Sequence, residues 1–169
     1  MNSRVLVVDD DRATADTLAS LINAHGYEAI AAYDGRQALE QAVRFLPGLV
    51  LIDLGMPGWN GYETEIRIRE QCGGHELIAV ALTGWTRDEY RGRAWDCGFD
   101  LYVTKPMSTA TLKQLLGLLD PHAPVSACEG LDEADLKALK ALLYPTTAPA
   151  EPRPLESPIC NAGKAVGHV

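Results

Sequence analysis

The chain has 169 residues, a formal net charge of −8 and a sequence pI of about 4.9. This acidic balance disfavours direct binding to nucleic acid, because phosphate contacts require clustered lysine and arginine. The sequence contains no run of 18 apolar residues, the length needed to span a membrane. The four cysteines and four histidines are not spaced as metal ligands usually are. We therefore expect one globular domain with an appendage, located in the cytoplasm, with its cysteines as free thiols.

The first predicted elements are a strand over Val5–Val8, a helix over Arg12–Ala24 and a strand over Glu28–Ala32. The Val5–Val8 run is too short for the core of a signal peptide. Gly26 ends the helix, as a glycine just beyond a helix commonly does. The apolar spacing of this helix predicts an inward face made of Ala15, Leu18, Leu21 and Ile22.

The next helix is predicted to begin after Asp34, which can act as its N-cap with Gln37 three residues on. Its predicted inward stripe comprises Leu39, Ala42 and Val43. The strand Leu49–Asp53 follows, and its four consecutive apolar residues indicate burial on both faces. Gly55 and Pro57 require a sharp turn, so Asp53 lies where a central strand gives way to a loop.

The second half of the domain repeats the alternation of helix and strand. Its predicted elements are a helix over 61–72, a strand over 77–82, a helix over 86–97, a strand over 101–103 and a helix capped by Ser108 that runs through Leu119. The helix over 86–97 opens with a capping box, Thr86 to Glu89. The last helix is predicted to direct inward Leu112, Leu115, Leu116 and Leu119.

Five strands alternating with five helices predict an α/β fold with a parallel sheet covered on both faces. In such a sheet every strand-to-helix turn opens on the same edge, where ligands bind. The residues at or just beyond the strand ends are Asp9, Asp10, Asp53, Thr83 and Lys105. Each alone has an ordinary explanation as a cap or turn residue, and we expect Asp11 to be an N-cap. Their convergence on one edge predicts a site.

Three carboxylates in one crevice repel each other unless a cation offsets their charge. Mg²⁺ prefers carboxylate oxygens and is often joined by phosphate, while Lys105 supplies a second positive charge. A carboxylate such as Asp53 is a competent nucleophile for phosphoryl transfer, and the hydroxyl of Thr83 can bond a phosphoryl oxygen. The residues therefore predict a Mg²⁺-dependent site for an incoming phosphoryl group.

The composition changes after Asp120, and seven of the ten prolines lie from Pro121 onward. We expect a phosphoryl-binding domain over residues 1–120 and a proline-rich, mostly flexible tail over 121–169. One short helix is predicted in the tail at about 131–144, because Pro145 forbids its continuation. Its apolar stripe comprises Leu136, Leu139, Leu142 and Leu143.

Four ordered motifs resemble the receiver domain of two-component response regulators. They are Val7-Val8-Asp9-Asp10, the Asp53-Leu54-Gly55-Met56-Pro57-Gly58-Trp59-Asn60-Gly61-Tyr62-Glu63 segment, Ala81-Leu82-Thr83-Gly84, and Gly98-Phe99-Asp100 followed by Lys105-Pro106. The resemblance covers about residues 3–119 and is closest to receivers attached to hybrid histidine kinases. It implies a flavodoxin-like doubly wound (βα)₅ fold with the strand order 2-1-3-4-5, and a stand-alone phosphoacceptor switch rather than an enzyme.

The resemblance implies that Asp53 accepts the phosphoryl group and that Mg²⁺ is held by the acidic pair. Asp10 would be a direct ligand, Asp9 would act largely through water, Asp53 would contribute its own carboxylate, and the carbonyl of Gly55 would be the third protein ligand. Gly55 and the bulky Trp85 flank the path of an attacking water, so they leave the lifetime of the phosphorylated state open.

Lys105 would pair with the phosphoryl group, and Thr83 would move to meet it. Tyr102 matches the aromatic switch position, and we expect it to turn inward after phosphorylation. The peptide bond between Lys105 and Pro106 is expected to be cis, as in that family.

The implied phosphoryl donor is a phosphohistidine on a histidine kinase or a histidine phosphotransfer protein. No output domain is recognised, so the downstream target is expected to be a protein that binds the fourth helix, fifth strand and fifth helix. The fourth helix contributes a basic and aromatic surface, namely Arg87, Tyr90, Arg91, Arg93 and Trp95.

Two other functions remain open at this point. A Mg²⁺-dependent phosphohydrolase working through an aspartyl phosphate is disfavoured, because the acids lack the DxD pattern followed by Thr or Val. An interaction module that has lost phosphorylation would usually lack one of the site residues, all of which are present. The tail helix could bind its own receiver, a second copy in a homodimer, or a partner, or could remain exposed.

Overall fold

The computed structural model describes residues 3–72, 77–84 and 98–119. Its strands are β1 (Arg4–Val8), β2 (Glu28–Ala32), β3 (Leu49–Asp53), β4 (Ile78–Thr83) and β5 (Leu101–Thr104). The helices in the described residues are α1 (Arg12–Ala24), α2 (Gly35–Phe45), α3 (Gly61–Gln71) and α4 (Thr109–Gly117). None of these helices is both long and apolar enough to cross a bilayer. The helices predicted over 86–97 and 131–144 lie outside the described residues.

The five strands form one parallel sheet in the order β2-β1-β3-β4-β5, which confirms the predicted doubly wound topology. Successive residues of β1 point to opposite faces: Val5 and Val7 join one apolar cluster, and Leu6 and Val8 join the other. Helices α1 and α4 cover the first face, and α2 and α3 cover the second. Burial on both faces explains why the central strands are continuous apolar runs.

The predicted helix caps are largely confirmed. Asp11 caps α1 by accepting a hydrogen bond from the backbone N–H of Ala13 at 3.0 Å. Asp34 and Ser108 cap α2 and α4 in the same manner. Gly26 lies just beyond α1 with a φ of +88°, a conformation that glycine adopts without strain.

Two predictions for the inward faces of the helices are wrong. Leu21 of α1 is 37% exposed and Val43 of α2 is 47% exposed, although both were predicted to point inward. The predicted inward residues Ile22 of α1 and Ala42 of α2 are buried, together with Ala19 and Ala38, which the predicted stripes did not include. Leu21 is next to the buried Ile22, and Val43 is next to the buried Ala42. Adjacent helical residues are rotated by roughly 100°, so each of the two is turned away from the sheet.

The predicted boundaries differ from the observed ones by one or two residues. Strand β4 begins and ends one residue later than predicted, so Thr83 is its last residue. Strand β5 extends to Thr104, and α4 ends at Gly117, although Leu119 is buried as predicted. Such shifts are expected because strand and helix ends are defined by hydrogen bonds rather than by apolar pattern.

Candidate functional site

Three aspartates meet at the edge where β1 and β3 end. Asp9 directly follows β1, Asp10 comes next, and Asp53 is the last residue of β3. One carboxylate oxygen from each lies within 4.8 Å of the others. The parallel register that pairs Val8 with Ile52 brings Asp9 beside Asp53. The predicted convergence of these carboxylates is therefore observed.

The ammonium group of Lys105 neutralises part of this acidic cluster. Its Nζ donates a hydrogen bond to Oδ2 of Asp9 at 2.7 Å and lies 3.1 Å from Oδ1 of Asp53. Burial lowers the pKa of the Lys105 amino group, but the hydrogen bonds to Asp9 and Asp53 outweigh it. The pKa of Lys105 therefore lies above its ordinary value, and the lysine remains charged at neutral pH.

The end of β4 lies between the two charged partners. Asp53 pairs with Leu82, the backbone N–H of Leu54 donates to the Leu82 carbonyl at 2.9 Å, and Thr83 follows directly. The backbone N–H of Lys105 donates to the carbonyl of Thr83 at 2.6 Å, which ties the β5 end to the β4 end. The cis peptide bond between Lys105 and Pro106 is also observed as predicted.

The aspartates differ in how they can serve a metal ion. Oδ1 of Asp9 accepts the backbone N–H of Asp11 at 3.0 Å, while Oδ2 of Asp9 is bound by Lys105. Asp10 is exposed, and Asp53 is 9% exposed. A Cβ atom at Gly55 would stand 3.5 Å from Oδ2 of Asp53, so the Gly55 backbone also borders the cluster. This set of hard oxygen donors fits Mg²⁺.

Tyr102 occupies the middle of β5 and is only 3% exposed. It belongs to the apolar cluster that also contains Phe99 and Tyr62, whose rings pack edge to face at 6.2 Å. The side chain of Tyr102 is thus directed inward already in this structure. Tyr102 was expected to turn inward only after phosphorylation, but its side chain is already buried in this structure.

Sequence reasoning missed a second charged cluster at the other end of the sheet. Glu65 of α3 is 1% exposed and accepts a hydrogen bond from Arg69. Arg69 also donates to Oδ2 of Asp100 at 2.6 Å and to the carbonyl of Gly98 at 2.8 Å. Oδ2 of Asp100 accepts the N–H of Ala79 at 2.8 Å, so the cluster joins α3, β4 and the segment that enters β5.

The carboxyl group of Glu65 is only partly satisfied in this position. Its Oε2 has no hydrogen-bond partner within the described part of the chain. Burial raises the pKa of Glu65 to about 7, against the opposing effect of the Arg69 charge. The sequence signal was the spacing of Glu65 and Arg69, which places them one turn apart on a helix.

Comparison with known proteins agrees with the geometry. The response regulator receiver domain, as a sequence family, matches residues 5–117. An uncharacterized 14.6 kDa protein of Leptolyngbya boryana is 38% identical over 112 residues, which are 66% of this chain and 86% of that protein. The chemotaxis protein CheY4 of Vibrio cholerae is 28% identical, with a TM-score of 0.64 over 69% of this chain and 97% of its own. The receiver domain of Francisella response regulator 1452 is 27% identical, with a TM-score of 0.62 over 70% and 96%.

Proposed function

The chain belongs to the response regulator receiver family, and from this premise we propose that Asp53 accepts a phosphoryl group from a phosphohistidine. Family membership supports a phosphoacceptor role in two-component signalling. The observation that carries the assignment to Asp53 is its contact with Lys105 beside the Asp9 and Asp10 carboxylates.

The proposed reaction is a displacement at phosphorus. A carboxylate oxygen of Asp53 forms the new O–P bond while the P–N bond to the donor imidazole breaks, and the imidazole nitrogen keeps the electron pair. Asp53 is held at the end of a buried strand, which fixes its orientation. Rigid positioning of this kind lowers the entropic part of the barrier.

Lys105 and Thr83 are the residues proposed to receive the transferred group. The phosphoryl group adds a charge of about −1.5 to −2 at Asp53. Lys105, already 3.1 Å from Oδ1 of Asp53, can follow this charge onto the phosphoryl oxygens. Thr83 ends the strand beside Asp53, and a Cβ atom at Gly84 next to it would meet no atom of the described residues within 4 Å. The hydroxyl of Thr83 is proposed to bond a phosphoryl oxygen.

Asp9, Asp10 and Asp53, with the carbonyl of Gly55, are proposed to hold Mg²⁺. When bound, this ion would offset the negative charges of the carboxylate and the entering phosphoryl group. Asp10 is the exposed member and can serve directly, whereas Asp9 is engaged by Lys105 and by the Asp11 backbone. That difference supports a mainly water-mediated role for Asp9.

The proposed signal is a population shift that begins at Thr83 and Tyr102. The backbone N–H of Lys105, just after β5, donates to the Thr83 carbonyl. A movement of Thr83 would therefore displace β5, where Tyr102 lies. We propose that the output face comprises the helix predicted over 86–97, β5 and α4. Its partner would be a downstream protein, and the donor would be a histidine kinase or histidine phosphotransfer protein. A phosphorylation-dependent homodimer remains a prediction.

The proposal is tested by incubation with acetyl phosphate and Mg²⁺ followed by intact mass measurement. The wild type should gain one phosphoryl group, and Asp53→Asn should gain none. Asp34→Asn is a matched control, since the Asp34 carboxylate caps α2 and is not a member of the acidic cluster. Labelling of Asp53→Asn to the wild-type extent would refute the assignment.

The same experiment separates the alternatives. Sustained turnover of small phosphate esters would favour a phosphohydrolase. Complete failure of the wild type to label, from acetyl phosphate and from a phosphohistidine donor alike, would favour an interaction module.

A further inference from the structure

An open groove of about 690 Å³ runs beside α1 and reaches the candidate site. We name it the α1 groove. Its walls are mainly apolar and include Thr14, Leu18 and Leu21 of α1, facing Leu82, Pro106 and Met107. Lys105 lines its end. The exposed Leu21, which α1 does not use to contact the sheet, is therefore part of a shaped apolar surface.

We propose that residues 131–144 of the same chain bind in the α1 groove as an amphipathic helix. This interaction goes beyond the proposed phosphoryl transfer and does not depend on it. Its predicted stripe of Leu136, Leu139, Leu142 and Leu143 matches the helical spacing of Leu18 and Leu21 on α1. A helix this short is marginal alone in water, so apolar contact is what would stabilise it.

The position of the chain after α4 supports an intramolecular partner. Leu119, the last described residue, is 2% exposed and belongs to the same apolar cluster as Ala15 and Ile22 of α1. The chain therefore leaves the described part on the face of the sheet that carries α1. The connecting residues 120–130 can span at most about 40 Å when extended.

The dimensions of the two partners also agree. A helix over 131–144 would be about 21 Å long. Helix α1 has 13 residues and is therefore about 20 Å long. Covalent linkage through 11 residues corresponds to an effective concentration on the order of 1 mM. This favours the chain's own segment over a second copy at micromolar concentration.

The docking and the proposed function can be tested separately. Labelling by acetyl phosphate depends on the candidate site and not on residues 131–144. Failure of the docking would therefore leave this labelling intact, whereas failure of the proposed function would abolish it.

The test is hydrogen–deuterium exchange of the full chain, followed by mass spectrometry of the peptides covering 131–144 and α1. Wild-type amides in 131–144 should exchange at least about tenfold more slowly than an unstructured peptide. Leu139→Asp and Leu21→Asp should each remove this protection. The matched controls Ala141→Asp, opposite the predicted stripe, and Ser20→Asp, at an exposed position outside the groove lining, should retain it.

Three results would overturn the proposal. They are unprotected wild-type amides in 131–144, protection that Leu21→Asp does not change, and protection lost on tenfold dilution, which would indicate a second copy. Leu139→Asp lies outside the receiver domain and keeps the test valid if Leu21→Asp perturbs folding.

Discussion

Nζ of Lys105 lies 3.1 Å from Oδ1 of Asp53, across the end of the strand that separates them. Lys105 follows β5 and Asp53 ends β3, and β4 lies between these strands in the sheet. The lysine therefore brings its charge over the β4 end, where Thr83 lies. This single contact joins three strand ends into one site.

Replacement of Lys105 by methionine should strengthen Mg²⁺ binding by about tenfold, because the lysine charge occupies the same carboxylates that the metal would use. The partial exposure of Lys105 limits the effect to roughly this size. Isothermal titration calorimetry with Mg²⁺ measures it directly. Lys113→Met, on the exposed side of α4, is the matched control and should leave the affinity unchanged. Equal or weaker affinity of Lys105→Met would contradict this electrostatic competition.

Glu65 should make the free energy of unfolding depend on pH. The pKa of its carboxyl is about 7 in the folded protein and near 4.5 without the fold. The folded state thus binds this proton more tightly than the unfolded state does. The contribution of Glu65 to the free energy of unfolding is therefore complete below pH 4.5 and is lost as the pH rises through 7. The full difference is about 3 kcal/mol, as an order of magnitude.

Glu65→Gln isolates this effect, because glutamine keeps the size and the acceptor for Arg69 but does not titrate. Urea unfolding of both proteins between pH 5 and 8 should find the wild type losing stability relative to the variant as pH rises. A difference between the two proteins that stays constant with pH would contradict the raised pKa of Glu65.

Gly61 should not tolerate a side chain, because its Cβ would lie 2.5 Å from the backbone oxygen of Asp53 and 2.9 Å from Cα of Leu54. Both contacts are with backbone atoms, which cannot move away at low cost. Gly61→Ala should therefore lower the free energy of unfolding by about 1–3 kcal/mol in urea titration. Gly84→Ala, whose Cβ would have no atom of the described residues within 4 Å, should change it by less than about 0.5 kcal/mol. Equal stabilities of the two variants would argue against this packing.

The site could be predicted from sequence because each of its residues sits at a strand end. Parallel topology fixes where strand ends meet, so Asp9, Asp53 and Lys105 converge without any knowledge of side-chain packing. Helix caps were also predictable, because each cap side chain accepts a hydrogen bond from a backbone N–H two or three residues later in the chain. These caps are Asp11, Asp34 and Ser108.

The contacts of Glu65, Arg69 and Asp100 could not be predicted in the same way. Arg69 and Asp100 meet only through the packing of α3 against the entry to β5, which no local pattern encodes. The exposed Leu21 and Val43 illustrate a second limit. Apolar spacing identifies the apolar side of a helix, but it does not show which apolar residues at the margins of that side are buried.

Identification of the phosphorylated residue tests the central claim most directly. Borohydride reduces an aspartyl phosphate to homoserine, so the wild type labelled with acetyl phosphate and Mg²⁺ should contain homoserine at position 53 and nowhere else. Peptide mass mapping locates the change. Homoserine at Asp9, Asp10 or another acid, with Asp53 unmodified in a labelled sample, would contradict the account.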